Sequence, residues 1–152
     1  MSRPLLKSIS KLALVGLAAL AASGAGHAET AANVAAQWGL LGSWRIDCTA
    51  PPSVDNFNET YVVRGGNLYL DRVDSGGAGS EPVLAAKIRP DNSIAIFIRF
   101  ESAAQTREND VIRDGDRKRV MSNSRISSQD YSVRNGVLVA SGKPTPWMNH
   151  CE

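Results

Sequence analysis

From Glu59 to Ala140 the chain is broken by short turns at close intervals, and no connection between the extended segments is long enough to hold a crossover helix. Such a chain can build only antiparallel neighbours, because parallel strands need a crossover of a dozen residues or more. Gly65-Gly66 joins the runs Glu59 to Arg64 and Asn67 to Val73. Glycine accepts the positive φ that two-residue hairpins require. Pro90-Asp91-Asn92 joins Val83 to Arg89 and Ser93 to Glu101, and Asp114-Gly115-Asp116 joins Gln105 to Arg113 and Arg117 to Ser124. Asn135-Gly136, the pair most typical of a type I′ turn, joins Tyr131 to Arg134 and Val137 to Ala140. About nine short strands result. A long twisted meander tends to close into a barrel, since closure removes exposed edges.

The segments between these turns carry the core signal. Ile94, Ile96, Ile98 and Phe100 alternate onto one face, as do Trp44, Ile46 and Cys48 in a first strand that starts at Gly42. Ahead of it, Val34, Trp38 and Leu41 fall at spacings of four and three, placing them on one face of a short helix within 29–41. Asp74 to Ser80 is glycine-rich and reads as a flexible loop. It lacks the Lys-Ser/Thr ending of a phosphate-binding loop. The tail Gly142-Lys143-Pro144-Thr145-Pro146-Trp147 cannot be regular strand throughout and should wrap the barrel.

Residues 1–28 read as a signal peptide. Arg3, Lys7 and Lys11 form a basic leader, Leu12 to Ala22 is apolar, and Gly26-His27-Ala28 offers small residues for cleavage after Ala28. The expected mature chain of 124 residues is one domain, a barrel over 42–152 preceded by the helical segment, in the periplasm or secreted. It holds 14 basic against 15 acidic residues, a balance that argues against a nucleic-acid binder. Beyond the leader no apolar run approaches the ~20 residues of a transmembrane helix, so no membrane span is expected in the mature chain. Both cysteines, Cys48 and Cys151, survive cleavage, and in an oxidising compartment they have one possible intramolecular bond. In the chain-entropy model a loop of that length contributes about 4.7 kcal/mol, and real disulfides often deliver less.

Gly42-Ser43-Trp44, at the head of the first strand, resembles the Gly-x-Trp signature of lipocalins and related calycins. The resemblance implies a lipocalin-like barrel of about eight strands with Trp44 plugging its closed end. Leu41-Gly42-Ser43-Trp44 also resembles the opening of small periplasmic metalloprotease inhibitors, which are lipocalin-like barrels whose disulfide closes a shorter stretch. The Trp and terminal Cys together are similar to those of uncharacterised secreted bacterial proteins, and that likeness implies no activity.

Residues able to carry chemistry are sparse. His150 is the one histidine after the leader, beside a cysteine expected to be oxidised, and it lacks companions at any metal-ligand spacing. Asp114-Gly115-Asp116 lacks the closing glutamate of a calcium loop. No triad, metal set or cofactor motif is present, so neither enzymatic activity nor a cofactor is expected. The hairpin from Gln105 to Arg125 is the exception to a bland pattern, because neither of its faces is cleanly apolar. It either projects past the rim into solvent or lines a polar cavity, where buried charges must be paired or wet. Counting outward from Gly115 sets Arg113 opposite Arg117, Val111 opposite Arg119, and Arg107 near Asn123. On that register Arg107, Arg119 and Asn123 share a face, with Tyr131 beside them, and could bind an anion by arginine's paired donors. The expected function is binding of a small anionic or amphipathic molecule. The alternative is an inhibitor or accessory partner of an extracytoplasmic protein such as a protease.

Overall fold

The structure, a computed structural model, describes residues 29–74 and 77–152; the expected signal peptide lies outside the described residues. Helix α1 (Ala31–Trp38) starts at Thr30, whose hydroxyl accepts from Asn33 N at 3.2 Å. It ends at Gly39, whose φ of 80° lets its N–H and that of Leu40 turn back to Ala36 O and Ala35 O. This stop comes before Leu41, so Leu40 is fully buried beside Val34 and Trp38 while Leu41 packs half-buried against the core. A side chain at position 39 would also collide with Arg113, whose Nη1 donates to Trp38 O at 2.7 Å.

Ten strands follow: β1 (Gly42–Arg45), β2 (Asn58–Arg64), β3 (Asn67–Asp74), β4 (Gly77–Ile88), β5 (Ile94–Phe100), β6 (Gln105–Asp114), β7 (Arg117–Arg125), β8 (Tyr131–Arg134), β9 (Val137–Leu138) and β10 (Met148–Cys151). Each pairs antiparallel with its neighbours in the order β10-β1-β2-β3-β4-β5-β6-β7-β8-β9. Because β10 also pairs with β7, eight strands close into a barrel and β8–β9 lie as a flap beside β7. Ile94, Ile96 and Ile98 are fully buried inside it with Leu68, Leu70 and Val111. Helix α1 covers the end where the Gly65-Gly66 turn lies, packing on β3 and β4.

Three local readings change. Strand β4 begins at Gly77, so part of the glycine-rich stretch is ladder: Ser80 pairs with Asp71, and its hydroxyl joins the exposed Arg64–Asp71 ion pair. Strand β1 stops at Arg45 instead of running to Cys48. Cys151 lies opposite Ser43, and a straight strand would carry Cys48 about 16 Å beyond that point, out of disulfide reach. The chain bends instead, held by the Asn56 side chain on Asp47 N and O, and the two Cα atoms come to 5.5 Å in the Cys48–Cys151 disulfide. The bond closes a sequence separation of 103 residues. Replacing both cysteines with serine is expected to cost about 2 to 4 kcal/mol, measured by urea unfolding.

The third change concerns β6 and β7. Asp114 pairs with Arg117, so the loop is two residues long, and the register then shifts between Asp110 and Val111. Arg113 therefore faces Lys118, and Val111 faces Val120. The hairpin is a wall of the barrel and not a projection into solvent.

Candidate functional site

Trp44 is 1% exposed and seals the end beneath the helix, its indole N–H donating to Leu40 O at 2.8 Å. His150, on the neighbouring strand, lays its ring 4.7 Å from that of Trp44 and bonds Leu41 O through Nε2 at 3.0 Å. His150 is an exposed residue near the terminus whose ring nonetheless packs on the plug from outside. Gly42 has φ 109°, and a Cβ there would collide with His150 Nε2. Both the backbone and the ring thus demand glycine. Gly42→Ala is expected to destabilise the fold by about 1 to 3 kcal/mol, checked by thermal unfolding.

Above the plug lies a charged layer. Lys118 is 0% exposed, and its Nζ reaches Glu59 Oε2 at 2.5 Å. The ammonium also sits 5.6 Å from the centre of the Trp44 ring, 5.2 Å from that of Tyr61, and 3.7 Å from Met148 Sδ. A buried cation is tolerated only with such partners: a carboxylate and the electron-rich faces of aromatic rings. Burial also pushes the Tyr61 hydroxyl well above its ordinary range, so it stays neutral.

Beyond this layer the barrel holds a partly open cavity of about 200 Å³ at the end away from the helix. Its walls include Leu70, Phe100, Val120, Val133 and Met148, and its polar groups include Glu59, Arg72, Asn109, Asn123 and Thr145. Asn123 Nδ2 donates to Asn109 Oδ1, while Arg107 Nε and the Ser132 hydroxyl donate to Asn123 Oδ1. Arg107 also donates to Asp130 O at 3.3 Å, and burial lowers its pKa from the ordinary arginine value. A polar chain thus runs from Arg107 through Asn123 to Asn109 on the cavity wall.

Of the four nominated ligand-binding residues, the structure brings Arg107 and Asn123 together and sets the other two elsewhere. Arg119 points out of the barrel, donating to Thr145 Oγ1 at 3.0 Å and Gly136 O at 2.7 Å. Tyr131 lies with its ring 4.3 Å from the Arg134 guanidinium carbon, away from the cavity lining. Register explains both. The extra residue at Met121 moves Asn123 onto the face of Lys118 and Val120 while Arg119 keeps the opposite one. Pairing of Asn123 with Val133 then makes Val133, not Tyr131, the β8 residue on the wall.

Sequence reasoning missed Glu59, Lys118 and Thr145. A signal for Lys118 existed in its spacing of two from Val120, which puts both on one strand face. Among the described residues no three His, Cys, Asp or Glu side chains gather to hold a metal. Fold and site together define a small antiparallel barrel, plugged at one end, with a lined interior cavity. Compared with protein-family models, curated proteins and solved structures, the chain shows no match.

Proposed function

We propose that this protein is a non-enzymatic, lipocalin-like binding protein of the periplasm or extracellular space, which takes a small anionic or amphipathic ligand into its barrel. The observation that carries this reading is the cavity of about 200 Å³, apolar on most of its wall and approached by the Arg107–Asn123–Asn109 chain. Specific pockets combine these two elements, an apolar lining for affinity and a few placed polar groups for orientation. Glu59 at the inner end disfavours an anionic head there, so the head lies toward Arg107 and the apolar part points inward. The disulfide supports an oxidising compartment, and among the described residues no helix is long and apolar enough to cross a membrane.

Isothermal titration of short carboxylates and other anionic metabolites tests the reading. Binding by wild type, weakened about tenfold or more by Arg107→Ala or Asn123→Ala and little by Tyr131→Ala, is the expected result. Absence of binding across the panel sinks it.

One observation favours the alternative, a partner or inhibitor of an extracytoplasmic protein. The loop between β1 and β2 is rigidly tied: Asn56 Nδ2 donates to Asp47 O, Ala50 O and Pro51 O, while Val54 at its tip is 65% exposed. A pre-ordered loop loses little entropy on docking. Under this reading Val54→Asp abolishes capture of a partner and leaves carboxylate binding intact.

A further inference from the structure

The barrel has a seam between β7 and β10. Strand β10 pairs with β7 only at Arg117 and Lys118, and β8 joins β7 only from Asn123 onward. The stretch of β7 from Arg119 to Ser122 therefore lacks a ladder partner on that side. A strap, 137–147, covers it and supplies Leu138, Thr145 and Pro146 to the cavity wall. Residues 138–144 are all exposed, and the backbone bonds of Leu138 and Gly142 stay within the strap.

The strap opens with β9, which pairs with β8, and Val139 N donates to Ser132 O at 2.9 Å; two further points at its ends hold it to β7. At one, Gly136 N donates to Met121 O at 2.8 Å; at the other, the Thr145 hydroxyl donates to Val120 O at 2.7 Å. Thr145 N closes the loop onto Gly136 O at 2.8 Å. Arg119 bridges both points, with Nη2 on Gly136 O and Nε on Thr145 Oγ1. The planar guanidinium suits this task, since two donors in a fixed fork reach two acceptors at once. Trp147 adds its ring face, 5.1 Å from the guanidinium carbon of Arg117 and 5.9 Å from that of Arg119.

We infer that Arg119 and Thr145 are positioning residues that latch the strap over the seam, and that ligand enters and leaves the cavity there. The second half rests on the binding reading above; the latch itself does not. Residue-resolved amide exchange by NMR, without ligand, tests the latch. Arg119→Gln and Thr145→Val should speed exchange at Gly136 and Thr145 at least tenfold, with Ile96 and Val111 in the barrel core unchanged within twofold. Thr145→Ser, which keeps the hydroxyl, should behave as wild type. Unchanged exchange at the two points, or equal acceleration in the core, overturns the latch. For traffic, stopped-flow release of 1-anilinonaphthalene-8-sulfonate should quicken at least fivefold in Arg119→Gln while its Kd shifts less than threefold. Faster exchange without faster release overturns the seam as the route. A wild type that binds neither this probe nor the carboxylates removes the binding reading and the route with it, leaving the latch to be judged on exchange alone.

Discussion

Trp44→Ala is expected to lower the unfolding free energy by about 3 to 5 kcal/mol, the usual range for truncating a buried aromatic side chain. For a domain of this size that is a fall of roughly 10 to 20 °C in Tm. The side chain is buried on all sides: its N–H holds Leu40 O, its ring meets His150, and it lies beneath the Lys118 ammonium. Truncation therefore leaves a cavity, an unpaired carbonyl and a cation short of one of its ring faces. Circular dichroism melts with Trp38→Ala alongside test the reasoning. Trp38 shares the helix end but sits outside the charged layer, its N–H on Asn92 O. An unchanged melt for Trp44→Ala would show that the plug does not hold the closed end.

Removal of one partner from the buried ion pair is the second large effect. Glu59→Ala strands the Lys118 ammonium with no exposed surface, and the loss is expected to be about 3 to 5 kcal/mol. Replacing both residues, Glu59→Leu with Lys118→Met, removes the uncompensated charge and should recover most of that loss, because a well-packed apolar pair often matches a buried ion pair. Urea unfolding of the two single variants and the double variant gives the coupling. A double variant no more stable than the sum of the singles would mean that Lys118 does not depend on Glu59.

Much of the fold was legible because hairpin meanders are written locally. Gly65-Gly66 and Asn135-Gly136 announce their turns through residues that accept positive φ, with φ values of 57°, 82°, 52° and 71° in the structure. The alternation of Ile94, Ile96 and Ile98 marks the core face in the same way. The candidate site was less legible. Its residues depend on which face of β7 turns inward, and a single extra residue at Met121 reverses that face halfway along the strand. Counting from the turn assumes an unbroken ladder, so it put Arg119 inside with Asn123. Glycine-rich β4 shows the same limit from the other side: small and glycine residues carry no apolar alternation, and only pairing with β3 makes Gly77 to Ser80 a strand.

Sequence by itself determined that the chain is an all-β meander with one short helix, one possible disulfide and a Gly-x-Trp at the head of its first strand. These follow from turn chemistry, period-two burial and cysteine number, each readable within a few residues. Tertiary structure alone decided where β1 bends, since the reach of Cys48 to Cys151 forbids a straight strand. It alone also decided that Lys118 could be buried, because its partners Glu59, Tyr61 and Trp44 come from strands far away in the chain. The cost of burying a charge is set by what surrounds it, and closure of the barrel is what assembles those surroundings.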